Sequence, residues 1–175
     1  MGNIFQKPPQ KGHKCMILGL DHTGKTTLLY KLKSGEVVET IATTSLNYEQ
    51  LTFEGTLFDF YDLAATKYMR VFWETYISDD TDAILYIIDS SDMSRLDESI
   101  HILHNLLDNP NLRDAHFLIC IHKQDEENCE SVEKIEEMLG LEERNNVLII
   151  GTSSYTGQGL QEGMKWLKIH LDKPI

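Results

Sequence analysis

Apolar and polar positions along this chain follow two alternating patterns. Uninterrupted apolar runs, typical of strands buried on both faces of a parallel sheet, occupy residues 15–18, 83–88, 117–121 and 147–150. Stretches with apolar residues three or four positions apart, typical of amphipathic helices, lie at 28–33, 96–107, 132–139 and 160–171. Each run is followed by such a stretch, and this order predicts a single doubly wound α/β domain.

The region after the first helical stretch has a different pattern. Residues 46–53 alternate between apolar and polar positions, as a strand with one buried face does. Glu54-Gly55 then supplies a turn, and residues 56–63 continue as a second strand. We therefore predict a β-hairpin here.

Residues at the ends of the helical stretches predict where the helices begin and end. Gly35 and Gly140 each follow a helical stretch, where glycine commonly ends a helix. Ser94 and Asp97 have the spacing of a capping pair and predict the start of the helix that contains Leu96.

One segment follows the first apolar run directly and carries the clearest chemistry. Gly19-Leu20-Asp21-His22-Thr23-Gly24-Lys25-Thr26-Thr27 fits the pattern G-x-x-x-x-G-K-[ST] of a phosphate-binding loop, in the required strand, loop and helix order. Backbone N–H groups of such a loop surround a polyphosphate, Lys25 reaches the terminal phosphates and the Thr26 hydroxyl binds Mg²⁺. The alternative is a chance match in a glycine-containing turn. The predicted nucleotide-binding residues of this loop are Gly19, Asp21, His22, Thr23, Gly24, Lys25, Thr26 and Thr27.

Composition limits the class of protein. A chain of 175 residues with 41% hydrophobic content is the size of one domain with a real core. Its net charge of -12 argues against nucleic-acid binding, which depends on lysine and arginine neutralising phosphates. The three cysteines have no metal-ligand spacing and are interpreted as reduced thiols. With no long apolar span, a cytoplasmic protein is expected.

The first residues are expected to form an arm, 1–13, before a single nucleotide-binding domain, 14–175. Gly2 is a candidate for acylation, although Gln6 stands where the simple myristoylation pattern has serine or threonine. Pro8-Pro9 prevents any helix from running on. Lys7, Lys11 and Lys14 make the arm basic, which suits either weak, reversible contact with an anionic membrane or a solvated segment.

Two further positions fit a nucleotide site. Asp62 ends the second hairpin strand, where a carboxylate can hold Mg²⁺, although it can also be an ordinary strand-end acid. His122-Lys123-Gln124-Asp125 follows the strand ending at Ile121. Asp125 there can accept two hydrogen bonds from guanine while the Lys123 stem packs on the ring, a pattern that by itself is usually a solvated loop. Backbone N–H groups of residues 151–155 are candidates for the guanine oxygen.

At this point the chain resembles a known family, the small GTPases of the Ras superfamily, and within it the ADP-ribosylation factor (Arf) and Arf-like branch. The resemblance covers almost the whole chain. It rests on Met1-Gly2-Asn3-Ile4-Phe5, Gly19-Leu20-Asp21 with Gly24-Lys25-Thr26-Thr27, Leu29-Tyr30-Lys31-Leu32-Lys33, Thr43 with Asn47, the hairpin length to Asp62, His122-Lys123-Gln124-Asp125, and Gly157-Gln158-Gly159-Leu160 with Trp166-Leu167.

The resemblance implies a small-GTPase fold, with a mixed, mostly parallel six-stranded sheet and helices on both faces. It implies GTP or GDP and Mg²⁺ as cofactors, with Thr43 of switch I on the metal and residues 63–70 as switch II. Ala65 is implied to offer its N–H to the γ-phosphate. The nucleotide-binding set then also includes His122, Lys123, Asp125, Ser153 and Ser154, and the implied effector-binding positions are Leu46, Tyr61 and Tyr76. A monomer is expected, and an exchange factor or a GTPase-activating protein is a candidate partner.

The departures from the family pattern concern catalysis. Where the family has Asp-Val-Gly-Gly-Gln, this chain reads Asp62-Leu63-Ala64-Ala65-Thr66. The missing glutamine orients the attacking water in GTPases, and Thr66 is shorter and has no amide. Ser45 and Ala42 replace a glycine and a proline of switch I, His122 replaces asparagine, and His22 replaces a small residue.

Three functions remain open from the sequence. The first is a guanine-nucleotide-binding switch or scaffold with weak GTP hydrolysis, in which Thr66 and Lys25 occupy the catalytic positions. The second is a regulated GTPase completed by a GTPase-activating partner. The third is a small-molecule kinase, which the four scattered arginines, Arg70, Arg95, Arg113 and Arg144, make a remote alternative.

Overall fold

The computed structural model describes residues 10–141 and 144–173. The strands are β1 (His13–Gly19), β2 (Leu46–Phe53), β3 (Thr56–Leu63), β4 (Ala83–Asp89), β5 (His116–His122) and β6 (Val147–Gly151). The α-helices are α1 (Lys25–Ser34), α2 (Trp73–Tyr76), α3 (Leu96–Leu107), α4 (Val132–Leu139) and α5 (Leu160–Leu171). Three short 3₁₀ turns at Arg70–Phe72, Met93–Arg95 and Pro110–Leu112 complete the described regular structure.

The six strands form one mixed sheet in the order β2-β3-β1-β4-β5-β6. The β2–β3 hairpin is antiparallel, and every other neighbouring pair is parallel. Parallel strands end at the same edge, so the residues that follow β1, β3, β4, β5 and β6 meet there. In an open α/β sheet this edge is where ligands bind.

Both faces of the sheet are covered, because neighbouring residues on a strand point to opposite sides. Met16 and Leu18 of β1 belong to a core layer under α3 and α4. Cys15 and Ile17 belong to the layer under α1 and α5. The central strands are therefore buried on both sides, as their uninterrupted apolar runs predict.

Most predicted element ends are confirmed. Gly35 and Gly140 adopt the left-handed conformation directly after α1 and α4, and Glu54 and Gly55 make the hairpin turn with φ of 46° and 86°. Helix α1 begins at Lys25, earlier than its apolar spacing indicated, because the phosphate loop leads straight into it.

The predicted capping pair of Ser94 and Asp97 is wrong. The Ser94 hydroxyl donates to the Asp92 carboxylate at 2.6 Å, and α3 begins at Leu96 with Arg95 in the N-cap position. Asp92 lies two residues before Ser94, and this nearer acceptor draws the hydroxyl away from the helix.

The remaining sequence expectations have mixed outcomes. Cys15, Cys120 and Cys129 are free thiols, and the first two are buried in strands. None of the helices in the described residues combines the length and hydropathy needed to cross a bilayer. The candidate acylation site at Gly2 lies outside the described residues, and β1 begins at His13.

Candidate functional site

The phosphate loop joins β1 to α1, and glycine is required at both of its ends. Gly19 has a φ of 142°, and a Cβ there would lie 2.3 Å from the Ile87 carbonyl oxygen of β4. Gly24 has a φ of 93°, and a Cβ there would lie 3.0 Å from the His122 ring. A side chain at either position would force the loop away from the neighbouring element.

The loop is first held by its own side chains. The Thr23 hydroxyl donates to the Leu20 carbonyl at 3.0 Å, and Lys25 Nζ donates to the same carbonyl at 2.8 Å. Thr23 is buried, and it is not among the residues that line the cavity described below. Burial lowers the pKa of Lys25 to about 8. A bound polyphosphate would offset that desolvation by favouring the charged amine.

Two cations from outside the loop hold its next two carbonyls. Arg95 donates to the Asp21 carboxylate at 2.8 Å and to the Asp21 carbonyl at 3.1 Å. Lys123 Nζ donates to the His22 carbonyl at 3.1 Å, and His22 has a positive φ of 63°. Burial tends to raise the pKa of Asp21, but the His22 hydrogen bond and the Arg95 charge lower it overall. The loop is thus fixed from both sides.

A cavity of about 380 Å³ opens beside the loop. It brings together nine of the predicted site residues: Asp21, His22, Gly24, Lys25, Thr26, Thr27, Thr43, Ala65 and Thr66. Thr40, Ile41, Ala42, Leu63 and Ala64 complete the lining. The cavity therefore joins the phosphate loop to the segments that the sequence assigns to switch I and switch II.

The three predicted metal ligands lie in mutual contact. The hydroxyls of Thr26 and Thr43 are 2.8 Å apart, and both donate to Asp62 Oδ2, at 2.5 Å and 3.3 Å. Burial raises the pKa of Asp62, against the effect of these hydrogen bonds and of Lys25. Its other oxygen, Oδ1, is buried and finds no hydrogen-bond partner among the described residues. Two hydroxyls and a carboxylate with an unused oxygen fit Mg²⁺, which prefers oxygen ligands.

Switch I makes a second hydroxyl contact, which was not predicted from the sequence. Thr40 Oγ1 lies 3.0 Å from Thr27 Oγ1 of α1. Thr40 and Thr43 thus contact the hydroxyls of two adjacent residues at the start of α1, Thr27 and Thr26. The repeated threonines at 40, 43 and 44 were the available signal.

The predicted guanine-recognition residues form a second cluster outside the cavity lining, at the ends of β5 and β6. The Ser153 hydroxyl donates to Asp125 Oδ1 at 2.5 Å. Lys123 has a positive φ of 64° and pairs its amine with Asp89 at the end of β4. Asp125 is exposed. Its second oxygen points to no donor among the described residues, so it remains for a ligand.

Backbone groups of the loop after β6 are mostly engaged. The N–H groups of Thr152, Ser153 and Tyr155 donate to Ile121, Gln158 and the Ser153 hydroxyl. Of the four residues 152–155, only Ser154 has an N–H without an acceptor among the described residues. Among these four, we therefore expect the Ser154 N–H to contact the guanine oxygen.

His122 connects the two clusters. Its ring is buried, with Nδ1 at 2.9 Å from the Thr152 hydroxyl and Nε2 at 3.0 Å from the Ser154 hydroxyl. Burial lowers the pKa of His122 to about 4, so the ring is neutral near pH 7. One ring nitrogen then donates and the other accepts. The ring also packs against Gly24, and thereby supports the phosphate loop.

Switch II borders the cavity with its altered residues. Ala64 and Ala65 are buried, whereas Thr66 is exposed at the cavity edge. Trp73 Nε1 donates to the Ala64 carbonyl at 2.9 Å, and Arg70 Nε donates to the Ala65 carbonyl at 3.0 Å. Neither tether was predicted from the sequence, because each depends on the turn that follows Thr66.

The implied effector-binding residues lie together beside switch II. Leu46, Tyr61 and Tyr76 are partly buried against the same core layer. Tyr61 packs on Tyr48 with ring centroids 5.2 Å apart. Tyr76 lines a second cavity of about 230 Å³, which it shares with Ser45, Leu63, Ala64, Met69, Phe72, Trp73 and Thr75.

Comparison with known proteins agrees with this geometry. The sequence matches the profile of the ADP-ribosylation factor family over residues 1–171. The chain belongs to the ADP-ribosylation factor family. It is 40% identical over 156 residues to ADP-ribosylation factor-like protein 1 of Drosophila melanogaster, covering 88% of this chain and 86% of that protein. The fold is similar to the Arl6 (BBS3) small GTPase of Trypanosoma brucei, solved with the nucleotide analogue GppNp, with a TM-score of 0.82 and 26% identity over 91% of this chain and 96% of that one.

Membership confirms the predicted fold and cofactors. Arf-family proteins are small GTPases that bind GTP or GDP with Mg²⁺ and act as switches, and they interact with effectors, exchange factors and GTPase-activating proteins. The six-stranded sheet is that of the P-loop small-GTPase fold. The individual site residues in this Arf-family chain remain a prediction, which the contacts above support.

Proposed function

We propose that this Arf-like GTPase binds guanine nucleotide with Mg²⁺ and hydrolyses GTP only weakly, so that it works as a long-lived switch or as a scaffold. The observation that carries the proposal is the wall of the cavity formed by Ala64, Ala65 and Thr66. No amide side chain stands there, at the place where the family has its glutamine.

Each binding role follows from a contact. Lys25 is buried beside the phosphate loop and is the cation for the terminal phosphates. Thr26, Thr43 and Asp62 hold Mg²⁺, which neutralises charge on the phosphate oxygens. Asp125, with Ser153 on one oxygen, accepts from guanine. Adenine has no matching pair of donors and would leave Asp125 poorly satisfied.

Weak hydrolysis follows from what switch II lacks. In GTPases a glutamine both donates to and accepts from the attacking water, which positions it in line with the γ-phosphate. Thr66 has a hydroxyl on a short side chain, and its reach is smaller than that of an amide on two methylenes. The intrinsic rate of Ras with its glutamine present is on the order of 10⁻⁴ s⁻¹. This chain should be slower still.

A partner-completed GTPase is the second candidate function. Thr66 is exposed at the cavity edge, so a catalytic group from a GTPase-activating protein can reach this position. The kinase alternative loses support, because Arg95 is committed to Asp21 and Asp92, and Arg70 to Ala65 and Glu98. Neither is free to surround a transferred phosphoryl group.

We further propose reversible membrane contact by the arm, residues 1–13, if Gly2 is acylated. One acyl chain gives an association constant of only about 10⁴ M⁻¹. Lys11 and Lys14 add little to membrane affinity, because both lie near an acidic side chain. Lys14 Nζ pairs with Asp80 at 2.7 Å, and Lys11 approaches the same carboxylate at 3.6 Å. Co-sedimentation of acylated protein should be weak with neutral vesicles and rise modestly with anionic ones. Stable binding to neutral vesicles would contradict this.

Single-turnover hydrolysis tests the main proposal. Wild-type protein preloaded with GTP is compared with the double variant Ala65→Gly, Thr66→Gln, which restores the family residues. The variant should hydrolyse at least about tenfold faster, because the amide positions water. Lys67→Gln, next to Thr66, is the control and should leave the rate unchanged. A wild-type rate that matches ordinary Arf-like proteins, or no gain in the double variant, would refute weak hydrolysis.

A further inference from the structure

The alanines of switch II do more than replace catalytic residues, because their side chains are packed into the core. Ala64 is 2% exposed and Ala65 is 4% exposed. Ala65 belongs to the same core layer as Leu63, Trp73 and Tyr86. Glycine at these positions would leave that apolar contact unmade.

Hydrogen bonds fix the backbone of the same two residues on three sides. The Ala64 N–H donates to the Ser45 carbonyl at 2.9 Å, which joins switch II to the end of switch I. Trp73, itself buried, holds the Ala64 carbonyl. Arg70 Nε donates to the Ala65 carbonyl, and Arg70 Nη2 pairs with Glu98 of α3 at 2.8 Å. The segment is thereby tied to the end of switch I, to α2 and to α3.

Alanine also narrows the conformations open to this backbone. Of the described residues other than glycine, only His22, Glu54 and Lys123 have positive φ, so both alanines have the negative φ that suits them. A β-carbon disfavours the left-handed region that glycine enters freely. A rearrangement that needs such an excursion is therefore disfavoured, in addition to breaking the three hydrogen bonds.

We propose that switch II keeps this one conformation with either GDP or GTP bound, so that the surface of Leu46, Tyr61 and Tyr76 is presented to a partner in both states. This inference rests on the proposed function. Of the two roles proposed there, a long-lived switch and a scaffold, it favours the scaffold. Nucleotide then stabilises the fold, and partner binding does not depend on which nucleotide is present.

Trp73 gives a direct readout. The chain has two tryptophans, so Trp166→Phe leaves Trp73 alone, and its indole bonds to Ala64. In this full-length background, tryptophan emission and amide exchange at Ala64 are measured with Mg²⁺ and either GDP or GppNHp. We expect superimposable emission spectra and exchange rates that agree within about twofold.

The double variant Ala64→Gly, Ala65→Gly restores backbone freedom. The two nucleotide states of this variant should differ in the amide exchange rate at position 64 by about tenfold, as expected from two added glycines. Ala115→Gly, at a buried alanine far from the switches, is the matched control and should behave as the parent does. If the double variant does not fold, Trp73→Phe is measured instead, because it removes the hydrogen bond to the Ala64 carbonyl while keeping a buried ring. Its two nucleotide states should differ in amide exchange at Ala64 in the same direction, but by less than tenfold.

Three results would overturn the inference. The first is a nucleotide-dependent change in the parent protein as large as that of the double-glycine variant. The second is the absence of any change in the variants, which would show that the alanines and their tethers are not the restraint. The third is a failure of the parent protein to bind GDP and GppNHp when it is first titrated with each nucleotide. That result overturns the proposed function as well, and the titration distinguishes it from the first two.

Discussion

The phosphate loop and switch II face each other across one cavity, but different contacts hold them. Charged side chains hold the loop: Lys25, Arg95 and Lys123 donate to three successive carbonyls. Switch II is held by buried methyl groups and by Trp73 and Arg70, which follow it in the chain. The phosphate loop is thus shaped by charged side chains on its carbonyls, whereas switch II is held by packing where the family has a catalytic amide. Substitutions on the two sides should therefore affect different properties.

The largest effect is expected for Lys25→Ala. Loss of this lysine, which we propose as the cation for the terminal phosphates, should weaken GTP binding by about 4 kcal/mol, roughly a thousandfold. A fluorescent GTP analogue titration with Mg²⁺ measures this. Lys31→Ala, on the outer part of the same helix, should bind like the wild type. Equal affinities for the two variants would remove Lys25 from the site.

The second prediction concerns the pH dependence of stability. It tests His122, the buried residue among the guanine-recognition residues at the ends of β5 and β6. The folded-state pKa of His122 is lowered to about 4, so the unfolded chain takes up this proton first as pH falls. The stability it contributes is therefore complete above about pH 6.5 and is lost toward pH 4, by about 3 kcal/mol. Urea unfolding across this range should show a flatter profile for His122→Asn. The control His101→Asn, on α3, should keep the wild-type profile, and a flattened one would contradict this assignment.

The preference for guanine over other nucleotide bases tests Asp125, the exposed residue of the same guanine-recognition cluster. Asp125→Asn replaces one acceptor with a donor, which should reduce GTP affinity by about 2 kcal/mol and improve binding of xanthosine triphosphate. Competition titrations with GTP, ATP and xanthosine triphosphate measure the change. Glu126→Gln, a neighbouring exposed acid, should leave the order of preference intact. An unchanged preference for GTP in Asp125→Asn would place guanine recognition elsewhere.

The smallest effect is expected on the switch II side. Trp73→Phe leaves the Ala64 carbonyl without its indole donor, which should lower the free energy of unfolding by about 1 kcal/mol. GTP affinity should not change, since Trp73 lies outside the phosphate-loop cavity. Urea unfolding and nucleotide titration together check this, with Trp166→Phe as the control. A large loss of GTP affinity would show that the two sides are coupled.

By itself the sequence determined the six strands, the four longer helices, the family and its cofactors. Uninterrupted apolar runs specify strands buried on both faces, because no polar side chain there could be hydrated. The phosphate loop was identifiable because its function needs glycines, a lysine and a hydroxyl at fixed spacing. The missing glutamine at Thr66 was equally visible, since that position is counted from Asp62.

Only the tertiary structure decided which side chains support the site. Arg95 lies 74 residues from Asp21, and Thr152 lies 30 residues from His122. Their pairing depends on strand order, which local spacing does not encode. The failed cap at Ser94 is by contrast a local effect, because Asp92, two residues earlier, competed with the helix for the hydroxyl. The packing of Ala64 and Ala65 likewise needed the fold, since an alanine pair has no sequence signature and its effect comes from the neighbours that enclose it.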